Sequence, residues 1–365
     1  MRDSIVNLAV ELMKIPSISI NQKETEKVFD KIEDFFKGTN NFHLKRETKN
    51  GYPSMLISNQ KGVLEFDYLF LGHVDVVNAS APLFEPKIEG DRLYGRGAYD
   101  MKGMISVMLN VFKSLKRDDL KIGALIVGDE EVGGESGAKY WVEELGLRSK
   151  VVFDLDSAQD ISIISNKAKA PFFVKLIAKG RNAHGAKPWI SVDANEELMI
   201  SIMNLRKHFP YYSLNNVPET EWVSTFHVGN MMGGEGTNII SAHAEAILDF
   251  RLTDALKEED LVEILNKSLT PRVNFEILKR SFGVASDENN EILQRYKKLV
   301  EEETGKEVVF KGLNGATDGR YFGALKSVVI THQSKGDGAH EDGEWASIKG
   351  FVAMSNILKK FFETV

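Results

Sequence analysis

No cysteine occurs anywhere in the 365 residues. That absence excludes disulfides, zinc–thiolate sites and thiol nucleophiles, so any metal site must be built from His, Asp and Glu. Long apolar runs are missing as well. No stretch reaches the length that spans a bilayer. Residues 1–15 are interrupted by Arg2, Asp3, Glu11 and Lys14, where a signal peptide needs an unbroken apolar core. A cytoplasmic protein is expected. Positive charge is in deficit, with 46 Lys and Arg against 53 Asp and Glu and a net charge of −7. This argues against non-specific binding to nucleic acid or to an anionic membrane. Internal repeats and low-complexity segments are also absent.

What is present is an ordinary globular composition, 42% hydrophobic and 27% charged. The chain is longer than one core usually serves, so two domains are expected. Ile5, Leu8 and Leu12 fall at helical spacing before Pro16, and a charged helix follows around 24–37. Residues 68–72, 122–127 and 151–153 read as buried strands. Between them Met104, Val107, Met108, Val111, Phe112 and Leu115 form one helical stripe. Continuously apolar strands alternating with helices indicate an α/β domain with a mixed, largely parallel sheet.

The pattern changes after about Asn166. Residues 172–178 alternate, 192–208 are helical, 223–228 and 244–252 read as half-exposed strands, 258–269 as a helix and 273–277 as extended. That β-α-β-β-α-β order is a complete ferredoxin-like α+β domain. Because α/β character resumes at 291–300, 328–330 and 346–361, it is an insert. The expected division is 1–165 with 280–365 for one domain and 166–279 for the other.

Acidic and imidazole groups fall where the strands end. His73 and Asp75 close the run Leu71-Gly72-His73-Val74-Asp75, and Asp100 stands just before the helix containing Met104. Asp129, Glu130 and Glu131 follow the strand ending at Val127, and Asp154 and Asp156 follow Phe153. Ligands of open α/β sheets gather at the carboxyl ends of strands. Carboxylates converging there repel one another unless a cation neutralises them. Each piece alone has a plainer meaning: a hydrogen-bonded turn for His-x-Asp, a helix cap for Asp100, a solvated acidic patch for Asp-Glu-Glu, a surface loop for His340-Glu341-Asp342. Together they supply the imidazoles, the bridging and terminal carboxylates and the spare Glu of a two-metal site.

These residues stand in recognisable motifs: Gly72-His73-Val74-Asp75, Tyr94-Gly95-Arg96-Gly97-Ala98-Tyr99-Asp100-Met101-Lys102-Gly103 and Asp129-Glu130-Glu131-Val132-Gly133-Gly134. Ala183-His184-Gly185-Ala186-Lys187-Pro188, Asp249-Phe250-Arg251 and Ala339-His340 come further on. From Leu12 to His340 the chain resembles the metallohydrolase family of aminoacylase, succinyl-diaminopimelate desuccinylase, acetylornithine deacetylase and the related dipeptidases and glutamate carboxypeptidases. The resemblance implies a zinc-peptidase-like catalytic domain and an inserted domain serving dimerisation or as a lid. It implies two divalent ions, zinc first, with cobalt or manganese as alternatives. His73 and a later carboxylate hold one ion, Glu131 and His340 the other, and Asp100 bridges. The later carboxylate is Asp154 or Asp156; Asp156, just before a small residue, matches better.

By the same resemblance Asp75 accepts a hydrogen bond from His73, and Glu130 is the general base. His184 polarises the scissile carbonyl, often from the partner subunit. Arg251 binds the substrate carboxylate with Asn238 close by, its plainer alternative being a salt bridge at a strand edge. Asp318 supports the site. His43, His208, His227, His243 and His332 are read as structural. The expected reaction is hydrolysis of an N-acyl amino acid by a homodimer. A dipeptidase or carboxypeptidase is the alternative, and a non-catalytic ligand-binding protein is disfavoured because every ligand position and the base are filled. The chain departs from the family pattern at two places: Phe153-Asp154-Leu155-Asp156-Ser157 stands where many relatives carry Glu before Pro, and Ser241, in a turn, stands where many carry Pro.

Overall fold

The apolar runs that bear the acidic clusters lie side by side in one sheet. In the computed structural model, which describes residues 1–39, 41–157 and 160–365, the chain forms two compact units. One comprises Met1–Lys167, Ala285–Lys311 and Thr317–Val365, and the other Ala168–Val284 with Gly312–Ala316.

The sheet of the first unit runs in the order His43–Lys49, Tyr52–Ser58, Ile122–Val127, Glu65–His73, Arg148–Asp154, Val328–Thr331, Ile163–Ala168. Its central strands, from Ile122–Val127 to Val328–Thr331, are parallel. Tyr52–Ser58 and His43–Lys49 add on antiparallel. Ile122–Val127 is buried at every position, as a strand covered on both faces must be. Register decides what the strands present. His73 pairs with Val127 and Leu71 with Asp154, so three strands end nearly level and their following residues share one edge.

The helix Lys102–Ser114 is buried on every side as far as Phe112, because it packs against both Arg2–Met13 and Ile348–Thr364. The single stripe expected from spacing describes only one of its covered faces; a helix apolar all round is an interior helix. Beneath the sheet Phe70, Phe153 and Phe361 meet with ring centroids 5.7 and 5.0 Å apart. Each such fully buried ring contributes roughly 1.5–3 kcal/mol relative to exposure. The hairpin His43–Lys49 and Tyr52–Ser58 was not anticipated. Its turn is Asn50-Gly51, with φ of 50° and 86°, the pair of positive φ values that a type I′ turn requires.

In the second unit Thr225–Gly233, His243–Leu252, Ala170–Lys179 and Val273–Lys279 form an antiparallel sheet in that order. The helices Ala194–Leu205 and Glu258–Ser268 complete the ferredoxin-like sequence of elements. Val174, Leu176, Leu198, Leu248, Phe250, Leu261 and Leu265 form its core. Thr225–Gly233 runs five residues past the expected strand, through a bulge after Val228, and that extension is exposed. Among the described residues no helix is long and apolar enough to cross a membrane.

Candidate metal centre

His73 is the last residue of its strand and is buried. Its Nδ1 lies 3.0 Å from the Asp75 carbonyl oxygen. A carbonyl can only accept, so Nδ1 carries a proton and donates. In the neutral ring Nε2 then presents a lone pair, 3.0 Å from Asp100 Oδ1 and 3.8 Å from Asp156 Oδ2. Acceptors facing one another at these distances need a cation or an added proton between them.

Asp100 reaches the other way with its second oxygen. Oδ2 is 3.2 Å from His340 Nε2, which also lies 3.1 Å from Glu131 Oε2. Two sets result, His73–Asp100–Asp156 and Asp100–Glu131–His340, the ligand atoms within each set all lying within 4.8 Å of one another. Asp100 belongs to both. His340 takes φ of +66°, a left-handed conformation that a non-glycine residue adopts only when its surroundings hold it there.

The turn Glu130–Val132 follows the strand Ile122–Val127 and closes on Gly133 at φ +112°. Asp75 fastens it. Its Oδ1 accepts from Glu130 N at 3.1 Å and its Oδ2 from Glu131 N at 3.2 Å and Ser19 Oγ at 2.8 Å. From His73 Nδ1 the Asp75 carboxylate is 3.5 Å away, farther than the carbonyl. The fixing of the tautomer thus falls chiefly to the main chain, and the carboxylate holds the glutamate turn. Asp156 joins His73, whereas Asp154, still within its strand, accepts from Gly319 N at 3.1 Å.

Electrostatics tests whether this donor set suits metal ions. Burial, reinforced by neighbouring carboxylates, raises the pKa of Glu130 and Asp156 well above the carboxylate range and that of Glu131 to about 7. Burial opposes a charge on His73, but Asp100 and Asp75 raise its pKa well above the ordinary 6.5. A hydrogen bond to Asp100 lifts His340 to about 9 against the cost of its burial. The cluster therefore stores negative charge that only protons or cations relieve, and its nitrogen and oxygen donors suit borderline and hard divalent ions. The residues fit a two-ion centre.

One further carboxylate, Glu344, stands in none of the sequence motifs. It accepts hydrogen bonds from Arg96 Nη1, Gly97 N, Tyr99 N and Asp100 N. Within Glu341-Asp342-Gly343-Glu344 nothing local singles it out; burial does, since Glu341 and Asp342 are exposed.

His184, Asn238 and Arg251 belong to the second unit. His184 opposes Ile239 in a short ladder, and Gly185 N donates to the Asn238 carbonyl at 2.7 Å. His184 Nδ1 accepts from Ala186 N at 3.1 Å, which leaves the neutral ring's proton on Nε2. Arg251 donates from Nε and Nη2 to the two oxygens of Asp249, at 2.9 and 3.0 Å. His332 is buried between Tyr296 and the Ile161 carbonyl.

A mixed sheet, parallel at its centre, with two sets of His and carboxylate groups gathered beside its strand ends is the setting of a metal-dependent hydrolase. Residues 69–364 match the model of Peptidase family M20/M25/M40, and the chain belongs to that family, whose members cut amide and peptide bonds. The chain is 25% identical over 318 residues to a succinyl-diaminopimelate desuccinylase of Nitrosococcus oceani, covering 81% of this chain and 83% of that protein. The aminopeptidase PepT from Bacillus cereus has the same fold, with a TM-score of 0.79 at 17% identity over 100% of this chain and 98% of the other. So has an M20 family metallo-carboxypeptidase from Sulfolobus solfataricus, with a TM-score of 0.74 at 17% identity over 98% of each chain.

Proposed function

We propose that this protein hydrolyses the amide bond of an N-acyl amino acid with a free carboxylate, as a deacetylase or desuccinylase does, using two divalent ions, zinc first among them. His73, Asp100 and Asp156 would hold one ion and Asp100, Glu131 and His340 the other. Bound there, the ions supply positive charge that acidifies water and polarises the amide carbonyl.

The observation that carries the reading is the position of Glu130. It is next to Glu131 on the turn Glu130–Val132, its main-chain N–H held by Asp75 Oδ1 at 3.1 Å, yet it stands outside both ligand sets. A spare carboxylate beside the reacting centre is what a general base requires. Glu130 takes the proton of the attacking water and returns it to the leaving amine. Asp75, hydrogen-bonded to its main chain, keeps it in place. His184 is assigned to the scissile carbonyl, for which its Nε2–H is the needed donor. Arg251 is assigned to the substrate carboxylate; Asp249 orients its guanidinium through Nε and Nη2 and leaves Nη1 for the ligand. Asn238 joins it in substrate binding.

Two exposed apolar features of the second unit support a homodimer. Met199, Ile200 and Met203 lie on the outer face of Ala194–Leu205, and Met231 and Met232 on the edge strand Thr225–Gly233. Such patches and open edges are commonly covered by a partner.

The test is a panel of N-acetyl and N-succinyl amino acids and dipeptides, each with its carboxylate free or amidated. Protein stripped by chelation is compared with protein reloaded with zinc, cobalt or manganese. N-acyl amino acids with a free carboxylate should be turned over only after reloading, and amidation should cost at least tenfold. Turnover of dipeptides alone selects the peptidase reading, and full activity in metal-free protein overturns the metal mechanism.

A further inference from the structure

Glu344 is buried and takes all its hydrogen bonds from one short segment. Oε2 accepts from Arg96 Nη1 at 2.6 Å and Gly97 N at 3.0 Å, and Oε1 from Tyr99 N at 2.9 Å and Asp100 N at 3.0 Å. The main chain adds a further tie, from Gly95 N to the Glu344 carbonyl at 3.1 Å. Directly afterwards Trp345–Ser347 pairs antiparallel with Arg92–Tyr94. Residues 95–100 are thus wrapped around a single side chain.

The choice of a carboxylate has a physical reason. Gly97, at φ +84°, turns the segment so that three main-chain N–H groups point inward together with a guanidinium. Only an anion with two oxygens satisfies four such donors, and no neutral side chain can. Charged hydrogen bonds are also stiffer and stronger than neutral ones. That stiffness is delivered to Asp100, the residue shared by both ligand sets. Four residues before Glu344 lies His340, whose Nε2 meets Asp100 Oδ2 at 3.2 Å. One excursion of the chain, 340–344, therefore grips Asp100 twice, on its main chain through Glu344 and on its side chain through His340. The Glu344 oxygens are filled by donors and do not serve as ligands.

We infer that Glu344 is a positioning residue for the metal centre: it sets Asp100 in place and holds His340 in register with it, so that the two ligand sets keep their common member. The inference rests on the two-ion reading of the site. Removing a partner of this kind typically weakens metal binding 10–100-fold.

The test titrates zinc and cobalt into chelator-stripped wild type, Glu344→Gln, Glu344→Asp and Ser347→Ala by calorimetry, below the melting temperature of each metal-free protein. In Glu344→Gln the amide NH2 faces two of the four donors, so metal affinity should fall 10–100-fold while the protein remains folded. Glu344→Asp, which keeps the charge on a shorter arm, should lie between the two. Ser347→Ala removes the hydrogen bond from the end of Trp345–Ser347 to Asp91, just before Arg92–Tyr94; it should lower the melting temperature and leave affinity unchanged. Wild-type affinity in folded Glu344→Gln overturns the inference. If that variant does not fold, Glu344→Asp decides, and a lower melting temperature with wild-type affinity overturns it equally. A wild type that binds neither metal removes the two-ion reading, and this inference with it.

Discussion

Glu130 and Glu131 share a turn and a chemistry and differ in where their carboxylates go. Glu131 reaches His340 and Asp100, whereas Glu130 stands outside both ligand sets. Glu131→Ala should therefore lower metal content together with rate. Glu130→Gln, which preserves volume and removes no ligand, should keep both ions and lose roughly 10²–10⁴-fold in turnover, the usual share of a positioned acid–base group. Elemental analysis beside turnover reads both variants. If Glu130→Gln loses metal and Glu131→Ala keeps it, the roles are reversed. At this scale the motifs offered the candidates, because strand ends announce themselves by apolar runs that stop at charge. They left Asp154 and Asp156 open, since the choice depends on where Arg148–Asp154 ends against its neighbours. They were silent on Glu344, whose partners lie some 245 positions away in the chain.

Among elements, alternation of apolar strands and helices made the parallel centre legible, and the β-α-β-β-α-β order made the second unit legible. The antiparallel hairpin escaped because neither strand is a clean apolar run: His43–Lys49 is partly exposed throughout. Asn50-Gly51 was the available signal. Gly51 has φ of +86° and nothing crowding its missing side chain closer than 3.9 Å, so its requirement is conformational and not steric. Gly51→Ala should cost about 1–2 kcal/mol, the penalty of a left-handed L-residue. A lower urea midpoint with unchanged kcat and metal content is the expected outcome. Unchanged stability would show that the turn relaxes to another type. The helix Lys102–Ser114 carries a related lesson, since a sequence stripe shows one buried face and cannot show that a second layer covers the others.

For the whole molecule, the proposed dimer joins the exposed apolar helix face and edge strand of the second unit to those of another copy. Sedimentation should show a dimer, and Met203→Glu or Met232→Glu should shift it toward monomer by placing charge in the contact. Because His184 is assigned a role across that contact, the monomeric variants should lose turnover while retaining both ions. A monomer with full activity sinks the shared-site role of His184.

The residue types of the centre, their attachment to strand ends, the mixed α/β sheet and the ferredoxin-like insert were all determined locally, by apolar periodicity and by short motifs, and so could be read without coordinates. Tertiary structure alone decided which oxygens meet which nitrogens. It turned the Asp75 carboxylate to the Glu130–Val132 turn, placed Asp156 with His73 and set Asp154 against Gly319, and buried Glu344 beneath Asp100. Each of these is a contact between segments distant in the chain, fixed by sheet register and by the need of buried N–H groups and carboxylates for partners. Spacing along the chain carries no record of such contacts.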